Sequence, residues 1–459
     1  MRPPREGFSV KEILEAVKGK LISGNTGDRA CSVSIDSRTL KKGDIFICIK
    51  GNRFDGHDFI REAIHKGARC VIADEKKSIA LGDRLPSNLI SAKNTLLALA
   101  GLAILNRKRF DIPLLAVTGS NGKTTTKEML SALLGSRYKV LKNEGTQNNI
   151  IGLSLSLLRL NHSHEIAALE LGTNHFGEIK ELSRIALPTA AILTNIGSAH
   201  LEFFGDESGV LKEKWSLVES LSSPRIAIVN ADDSFLRDKI STDTGGVIFS
   251  FGIKRRADFM AKEIICKDGR VFFRVNGKRV RLNTSASINA YNALAAYSAA
   301  RIFGISDDGI MKKFREFRFP DGRFQIKNLK GLRVIDDAYN ANPGSFLCAL
   351  EALSSLPCRG RKIVVMADML ELGERSEFLH RMIGEQLCRM KIDAFIGVGK
   401  LSHSACDAAK RSGFNGKIIL KCSSAQDARD VISGFARKGD TILLKGSRAM
   451  KLEEVLKDL

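Results

Sequence analysis

The sequence predicts an α/β fold in three parts. These are a small N-terminal α/β unit, a central doubly wound and mostly parallel sheet with a small antiparallel part, and a C-terminal Rossmann-like α/β unit. Three observations predict it. Short unbroken apolar runs alternate with helical periodicity over 114–230 and again over 332–445, the pattern of parallel strands covered on both faces by helices. The first of these series opens on a strand, a glycine-containing turn and a helix start. The chain has 459 residues, enough for about three domains.

In the N-terminal part, Ser9–Lys18 reads as a helix, and 33–38, 44–51 and 68–74 read as strands, with a helix at 58–66 before the last. The run Leu81–Asn88, containing Pro86, reads as a linker. A helix from Lys93 leads to the break Asp111-Ile112-Pro113. Strands follow at 114–119, 138–142, 165–172, 189–197 and 225–230. Over 260–284 the alternation of apolar and polar residues, with turns at Asp268-Gly269 and Asn276-Gly277, predicts antiparallel hairpins. A helix at 289–303 comes next, then strands at 332–338, 361–368, 393–399, 416–421 and 440–445. No GxGxxG follows the first of these, so a second, independent dinucleotide site is not expected. The domains are placed at 1–90, 91–318 and 319–459.

Composition excludes several classes. No window approaches the roughly 18 uncharged apolar residues of a membrane helix. The start, MRPPREGFSVKEIL, is basic but has no apolar signal-peptide core. A soluble, cytoplasmic chain is expected. Nine Cys are scattered with no CxxC pair, as for reduced thiols used as small core residues rather than a zinc site. Lys and Arg number 72 against 51 Asp and Glu, a net charge of +21. The positive residues are spread out, aromatics make up 6% and there is one Trp. That is no base-stacking platform, so no nucleic-acid partner is expected; anionic small substrates suit the charge.

The stretch Leu114–Met129 reads LLAVTGSNGKTTTKEM. The loop Gly119-Ser120-Asn121-Gly122-Lys123-Thr124-Thr125 is a short form of the phosphate loop, with Val117 where the longer GxxxxGK[ST] template would need Gly. Glycines let the backbone approach an anion, and the helix start aims N–H groups at it. Lys123 would reach the β/γ-phosphates of ATP and the Thr124 hydroxyl would hold Mg²⁺.

Other residues are candidates by position. Glu170 ends the strand EIAALELG and His200 follows AILTNIGSAH. At strand ends they could ligate a second divalent ion; alone, each is as readily a solvated or capping side chain. Asn148 and Asn149, in Thr146-Gln147-Asn148-Asn149, could hold a substrate or phosphate group, or cap a helix. Lys212 and Lys214, in VLKEKWSLVESL, read as a charged helix face. Asp336-Asp337, Tyr339, Asn340, Asn342 and Pro343 make a fixed turn before a helix. Those carboxylates are turn formers, or contacts to ribose or metal-bound water.

Together these residues resemble one family. The loop TGSNGKTT, Glu170, His200, the NxxN of Asn289–Asn292, the pair Gly322-Arg323 and the Asp337…Asn342-Pro343 element stand in the order of the Mur ligases, ATP-dependent amino-acid and peptide ligases of peptidoglycan synthesis. The resemblance runs over essentially the whole chain. Asp36-Ser37-Arg38 and GDIFICIKGNRFDGHDF (43–59), with Asp55, Gly56 and His57, resemble the uridine-nucleotide domain, which the otherwise similar folylpolyglutamate synthases lack. There is no DNPR of the diaminopimelate-adding members. ELGTNHFGEI (170–179), DDAYNANPGS (336–345), ADMLELGERSEFLH (367–380) and LLKGSRAMKLEEV (443–455) are similar to the dipeptide-adding members.

The resemblance implies a set of roles. The substrates are UDP-N-acetylmuramoyl-tripeptide and D-Ala-D-Ala, and the cofactors are ATP and two Mg²⁺ ions. Lys123 and Thr124 bind phosphates and the first ion; Glu170 and His200 hold the second. Asn289 and Asn292 lie at the adenine side, and Arg323 and Asp337 reach the nucleotide. Lys214 matches a lysine that is carbamylated in the family, where Lys-Gly-Glu is frequent and this chain has Lys214-Trp215-Ser216. Asp36, Ser37, Arg38, Asp55, Gly56, His57, Asn148, Asn149, Asn340, Asn342, Lys445, Ser447 and Arg448 face the substrates. The chain is expected to act as a monomer. A third-residue acceptor (diaminopimelate or lysine) and a non-catalytic nucleotide-dependent binding protein are the alternatives.

Overall fold

In the computed structural model, residues 7–78, 86–242, 245–414 and 418–457 are described. By its contacts the chain divides into two units: 1–114 with 139–172 and 180–188, and 115–138 with 173–179 and 189–459.

The first unit is built on a five-stranded sheet in the order Lys20–Ser23, Leu89–Ala92, Cys70–Asp74, Ile45–Ile47, Val33–Ser34. Only the first pair is antiparallel. Alternation along the strands separates two cores. Ile45, Ile47, Cys70, Ile72 and Ile90 pack against Val10, Ile13, Leu99 and Leu102 on one face. Phe46, Cys48, Val71, Ala73 and Leu89 pack against Leu40, Ile60 and Ala63 on the other. The helix Val10–Val17 starts at a Ser9–Glu12 capping box, and Asn94 caps the helix Thr95–Lys108. Val140–Lys142 and Ile166–Glu170 form a parallel pair joined through the helix Ile150–Leu158.

One expectation changes here, and one strand was not expected. The strand expected at 33–38 ends at Ser34, because Asp36 turns the chain: its carboxylate accepts from the Arg38 backbone N–H at 2.9 Å. Leu89–Ala92, directly after the expected linker, is an inner strand of the sheet; residues 81–85 of that linker lie outside the described residues.

The second unit holds a run of strands in the order Lys278–Leu282, Arg270–Val275, Phe259–Lys267, Val247–Gly252, Ile226–Asn230, Ala190–Leu193, Leu114–Thr118. The first three are antiparallel and the rest parallel. The hairpin turns are where the sequence puts them: Asp268, Gly269, Asn276 and Gly277 all have positive φ, which Asn, Asp and Gly tolerate best. Val247–Gly252 was not expected. A separate six-stranded sheet runs Gln325–Leu329, Leu332–Asp337, Thr441–Lys445, Lys362–Ala367, Ala394–Val398, Ile418–Cys422, antiparallel only at its first pair. Its edge strand Gln325–Leu329 also escaped the sequence pattern. Of the strand expected at 416–421, residues 416–417 lie outside the described residues. The chain is thus α/β with mostly parallel sheets.

Candidate active site

The phosphate loop leaves the buried strand Leu114–Thr118 and opens the helix Lys123–Leu134. Gly119 has φ +147°, and a Cβ there would lie 1.9 Å from Thr194 Oγ1. Gly122 has φ +81°, and its Cβ would lie 2.1 Å from Asn292 Oδ1. Both positions therefore demand glycine for backbone and space alike.

The end of the strand Ala190–Leu193 holds the loop. Leu193 pairs with Thr118, so the two strands finish together. Ser120 N donates to Asn195 O and Asn121 N to Asn195 Oδ1, each at 2.9 Å. Thr194 Oγ1 donates to Asn121 O at 2.6 Å, and Gly197 N donates to Ser120 Oγ at 2.9 Å. Thr194 and Asn195 were missed in the sequence. The available signal was two polar residues directly after an apolar run.

Lys123 Nζ donates to Gly119 O at 2.8 Å and to Ser120 O at 3.4 Å, so the ammonium rides the rim of the loop. Arg323 Nη2 donates to Thr124 Oγ1 at 3.3 Å, and its guanidinium lies 4.1 Å from the Tyr339 ring centroid. Asn342 caps the helix Pro343–Ser355 and also donates through Nδ2 to Asn121 Oδ1 at 2.7 Å. Residues far apart in sequence thus meet on the phosphate loop. Asn289 and Asn292 are buried and bonded to each other at 2.8 Å, under Gly122 and Thr126.

Lys212 and Lys214 part company. Lys212 is exposed, whereas Lys214 is 1% exposed. The charged-face reading of this helix, Glu207–Glu219, holds for Lys212 and fails for Lys214. Burial, assisted by the Lys123 charge and opposed by Glu213, pushes the Lys214 amine well below the ordinary lysine range. Glu213, also missed, is a buried carboxylate that accepts from Gly177 N and Ile179 N at 2.7 Å each and from Thr173 Oγ1 at 3.3 Å. It fixes the 173–179 segment to the helix that carries Lys214. Glu213→Ala strands those donors and is expected to cost about 2–4 kcal/mol, read as a drop in thermal midpoint; an unchanged midpoint would remove this role.

Within the first unit, Glu170 is 1% exposed at the end of its strand. Asn143 pairs with its backbone N–H and C=O at 3.0 Å each, and Asn148 Nδ2 donates to Oε1 at 2.8 Å. Oε2 is buried and has no hydrogen-bond partner among the described residues. Asn149 is the cap of Ile150–Leu158, where its Oδ1 accepts from Gly152 N.

His200 has φ +57°, and its Nδ1 is 2.5 Å from Glu371 Oε2. Asp337 sits in register with Lys445; the two form an ion pair at 2.6 Å, and Asp337 also accepts from Phe324 N. Lys445 is buried and donates to Asn340 O as well. Ser447 Oγ accepts from Leu370 N, and Arg448 pairs with Glu453. Asp36 is pulled down to about 2 by hydrogen bonds from Arg38, whose side chain is otherwise exposed. Ser37 Oγ donates to Glu62 at 3.0 Å. Asp55 caps Gly56–Phe59, engages His57 and pairs with Lys77 at 2.7 Å.

Known proteins match this layout along the chain. The Mur ligase family catalytic domain matches residues 31–110, the Mur ligase middle domain 117–300 and the Mur ligase glutamate ligase domain 322–448. The chain is 35% identical over 457 residues, 98% of each protein, to the UDP-N-acetylmuramoyl-tripeptide–D-alanyl-D-alanine ligase of Bacillus subtilis (strain 168). It is 34% identical over 434 residues, 93% of each, to the protein of that name from Escherichia coli (strain K12). A crystal structure of MurF from Acinetobacter baumannii superimposes with a TM-score of 0.89 at 29% identity, covering 99% of both chains. MurF ligase from Thermotoga maritima in complex with ADP superimposes with a TM-score of 0.81 at 32% identity, covering 93% of this chain and 96% of that one. The chain, with its three-part α/β architecture and its phosphate loop, belongs to the Mur ligase family.

Proposed function

We propose that this chain is an ATP-dependent ligase that joins D-alanyl-D-alanine to UDP-N-acetylmuramoyl-tripeptide, giving the pentapeptide precursor of peptidoglycan with ADP and phosphate. The observation that carries the reading is the phosphate loop with Arg323 on Thr124 and Asn342 on Asn121, in a chain similar over nearly its full length to ligases of that name. The tripeptide carboxylate attacks the γ-phosphorus of ATP, and ADP leaves an acyl phosphate. The dipeptide amine attacks the acyl carbon and loses a proton, and the C–O bond to phosphate breaks. Lys123, the helix start behind it and Arg323 neutralise and orient the phosphoryl group. Asp36, Ser37, Arg38, Asp55, Gly56 and His57 are assigned to the uridine nucleotide. Asn148, Asn340, Lys445, Ser447 and Arg448 are assigned to the peptide substrates, and Asn289 and Asn292 to the adenine side. The proposed domains are 1–90, 91–318 and 319–459, in a monomeric cytoplasmic enzyme. Among the described residues no helix is long and apolar enough to cross a membrane.

The residues fit divalent ions. Glu170 Oε2 is a buried carboxylate oxygen with no hydrogen-bond partner among the described residues, and a hydroxyl, a carboxylate and an imidazole are donors that Mg²⁺ or Mn²⁺ accepts. Among the described residues no three His, Cys, Asp or Glu side chains form a metal cluster. Thr124 would hold the first of two Mg²⁺ ions, and Glu170 with His200 the second; when bound they supply charge neutralisation. Burial lowers the Lys214 pKa, which favours the neutral amine, the form that adds CO₂ to become a carbamate.

The experiment is an acceptor comparison. ADP release with the uridine-linked tripeptide should depend on D-Ala-D-Ala and not on diaminopimelate or lysine. Turnover with either of the latter, or none with any acceptor, overturns the assignment. Glu170→Ala should raise the Mg²⁺ concentration needed for half-maximal turnover by about ten-fold or more. A Mg²⁺ titration that matches wild type would leave Glu170 a structural residue.

A further inference from the structure

Hydrogen bonds hold the loop between the strand Lys362–Ala367 and the helix Ser376–Leu387 along its first half. Asp368 Oδ1 accepts from Ser402 N at 2.7 Å and its carbonyl from Ser447 N at 3.1 Å. Met369 N donates to His380 Nε2 and Leu370 N to Ser447 Oγ, both at 2.9 Å. This scaffold ends at Glu371, a non-glycine residue at φ +63°. Such a conformation costs on the order of 1–3 kcal/mol and persists where surroundings over-determine it.

What the loop presents falls on one short segment. Glu371 O accepts from Glu202 N at 3.2 Å, and its carboxylate bonds His200 Nδ1. A Cβ on Gly373 would lie 3.1 Å from Glu202 Cα. Arg375 Nη1 reaches Glu207 Oε2 at 3.1 Å, while Glu207 Oε1 accepts from Ser198 Oγ at 2.6 Å. His200, between these clamps, is itself at φ +57°. Two strained residues are thus held face to face.

We infer that Glu371 is a positioning residue for His200, setting which ring nitrogen carries the lone pair and where it aims. The inference rests on the proposed reading of His200 as an ion ligand. A neutral imidazole whose Nδ1–H is taken by a carboxylate keeps its lone pair on Nε2. A carboxylate behind a ligating histidine fixes its tautomer and orientation and strengthens it as a donor. Here that carboxylate comes from the 368–375 loop, so His200 is a competent ligand only while this loop rests on 198–207. Sequence position alone would never pair the two residues.

The test is Mn²⁺ binding to the full-length protein with a non-hydrolysable ATP analogue, followed by electron paramagnetic resonance, with the thermal midpoint measured in parallel. Glu371→Gly removes the carboxylate while suiting the positive φ, so the loop keeps its shape. It should weaken the weaker Mn²⁺ site about 10- to 100-fold, as should His200→Ala. The double variant should bind no worse than His200→Ala alone. Glu371→Gln, whose carbonyl oxygen still accepts from Nδ1–H, should recover most of the affinity. Wild-type affinity in Glu371→Gly beside a loss in His200→Ala overturns the positioning role, as do additive losses in the double variant. Wild-type affinity in His200→Ala overturns the ligand reading itself, and this inference with it.

Discussion

Lys214→Ala is expected to lower turnover by on the order of 10²–10³-fold, with Lys212→Ala close to wild type. The two lysines lie two positions apart on one helix, yet one is exposed and the other buried beside Lys123. A buried ammonium next to another cation and near divalent ions is unfavourable. Addition of CO₂ to the neutral amine turns it into an anion with two hard oxygen donors, the kind Mg²⁺ accepts. The loss should therefore be partly restored by formate or acetate, which can stand in for the carbamate. Steady-state ADP release with and without added carboxylate measures this. Full activity of Lys214→Ala, or no response to any small carboxylate, counts against a carbamate there.

Lys123→Ala is expected to cut phosphate release by about 10³-fold while leaving the unfolding midpoint within a degree or two. The side chain is half-buried at the helix start, where it bonds the carbonyls of its own loop. Its removal should cost little stability. Its ammonium is the flexible cation at the loop that can follow the γ-phosphoryl group as charge shifts onto it. Lys123→Arg should not restore turnover, because a planar fork cannot replace a compact point charge in a loop this tight. Near-normal release in Lys123→Ala would overturn the loop's assignment to ATP.

Much of the fold was legible because the deciding signals are local. Asp268-Gly269 and Asn276-Gly277 specify their hairpins through backbone preference alone, and Gly122-Lys123-Thr124 marks a helix start wherever it follows a buried strand. Short edge strands such as Gln325–Leu329 and Lys20–Ser23 were not legible: half-exposed, they carry mixed residues whose extended shape comes from a partner strand. The site divides the same way. Lys123 and Thr124 announce themselves by spacing. Lys214 does not, since Lys-Glu-Lys in a helix reads as surface until tertiary packing buries one end of it. Glu213 and Glu371 were invisible for a related reason. Each is one acidic residue among 51 Asp and Glu, distinguished only by what another segment brings against it.

The side chains of Thr194 and Asn292 fill the space where Gly119 and Gly122 have none. The phosphate loop is therefore cast against a solid mould. Ordering a free loop costs roughly 1–2 kcal/mol per residue, and here that cost is met when the protein folds. Binding ATP then requires little further freezing of the backbone. Calorimetry of nucleotide binding should register charge neutralisation and surface burial, with a heat-capacity change too small for a coil becoming a loop. Enlarging Asn292 would disturb the nucleotide seat from behind, through a residue that need never touch a phosphate.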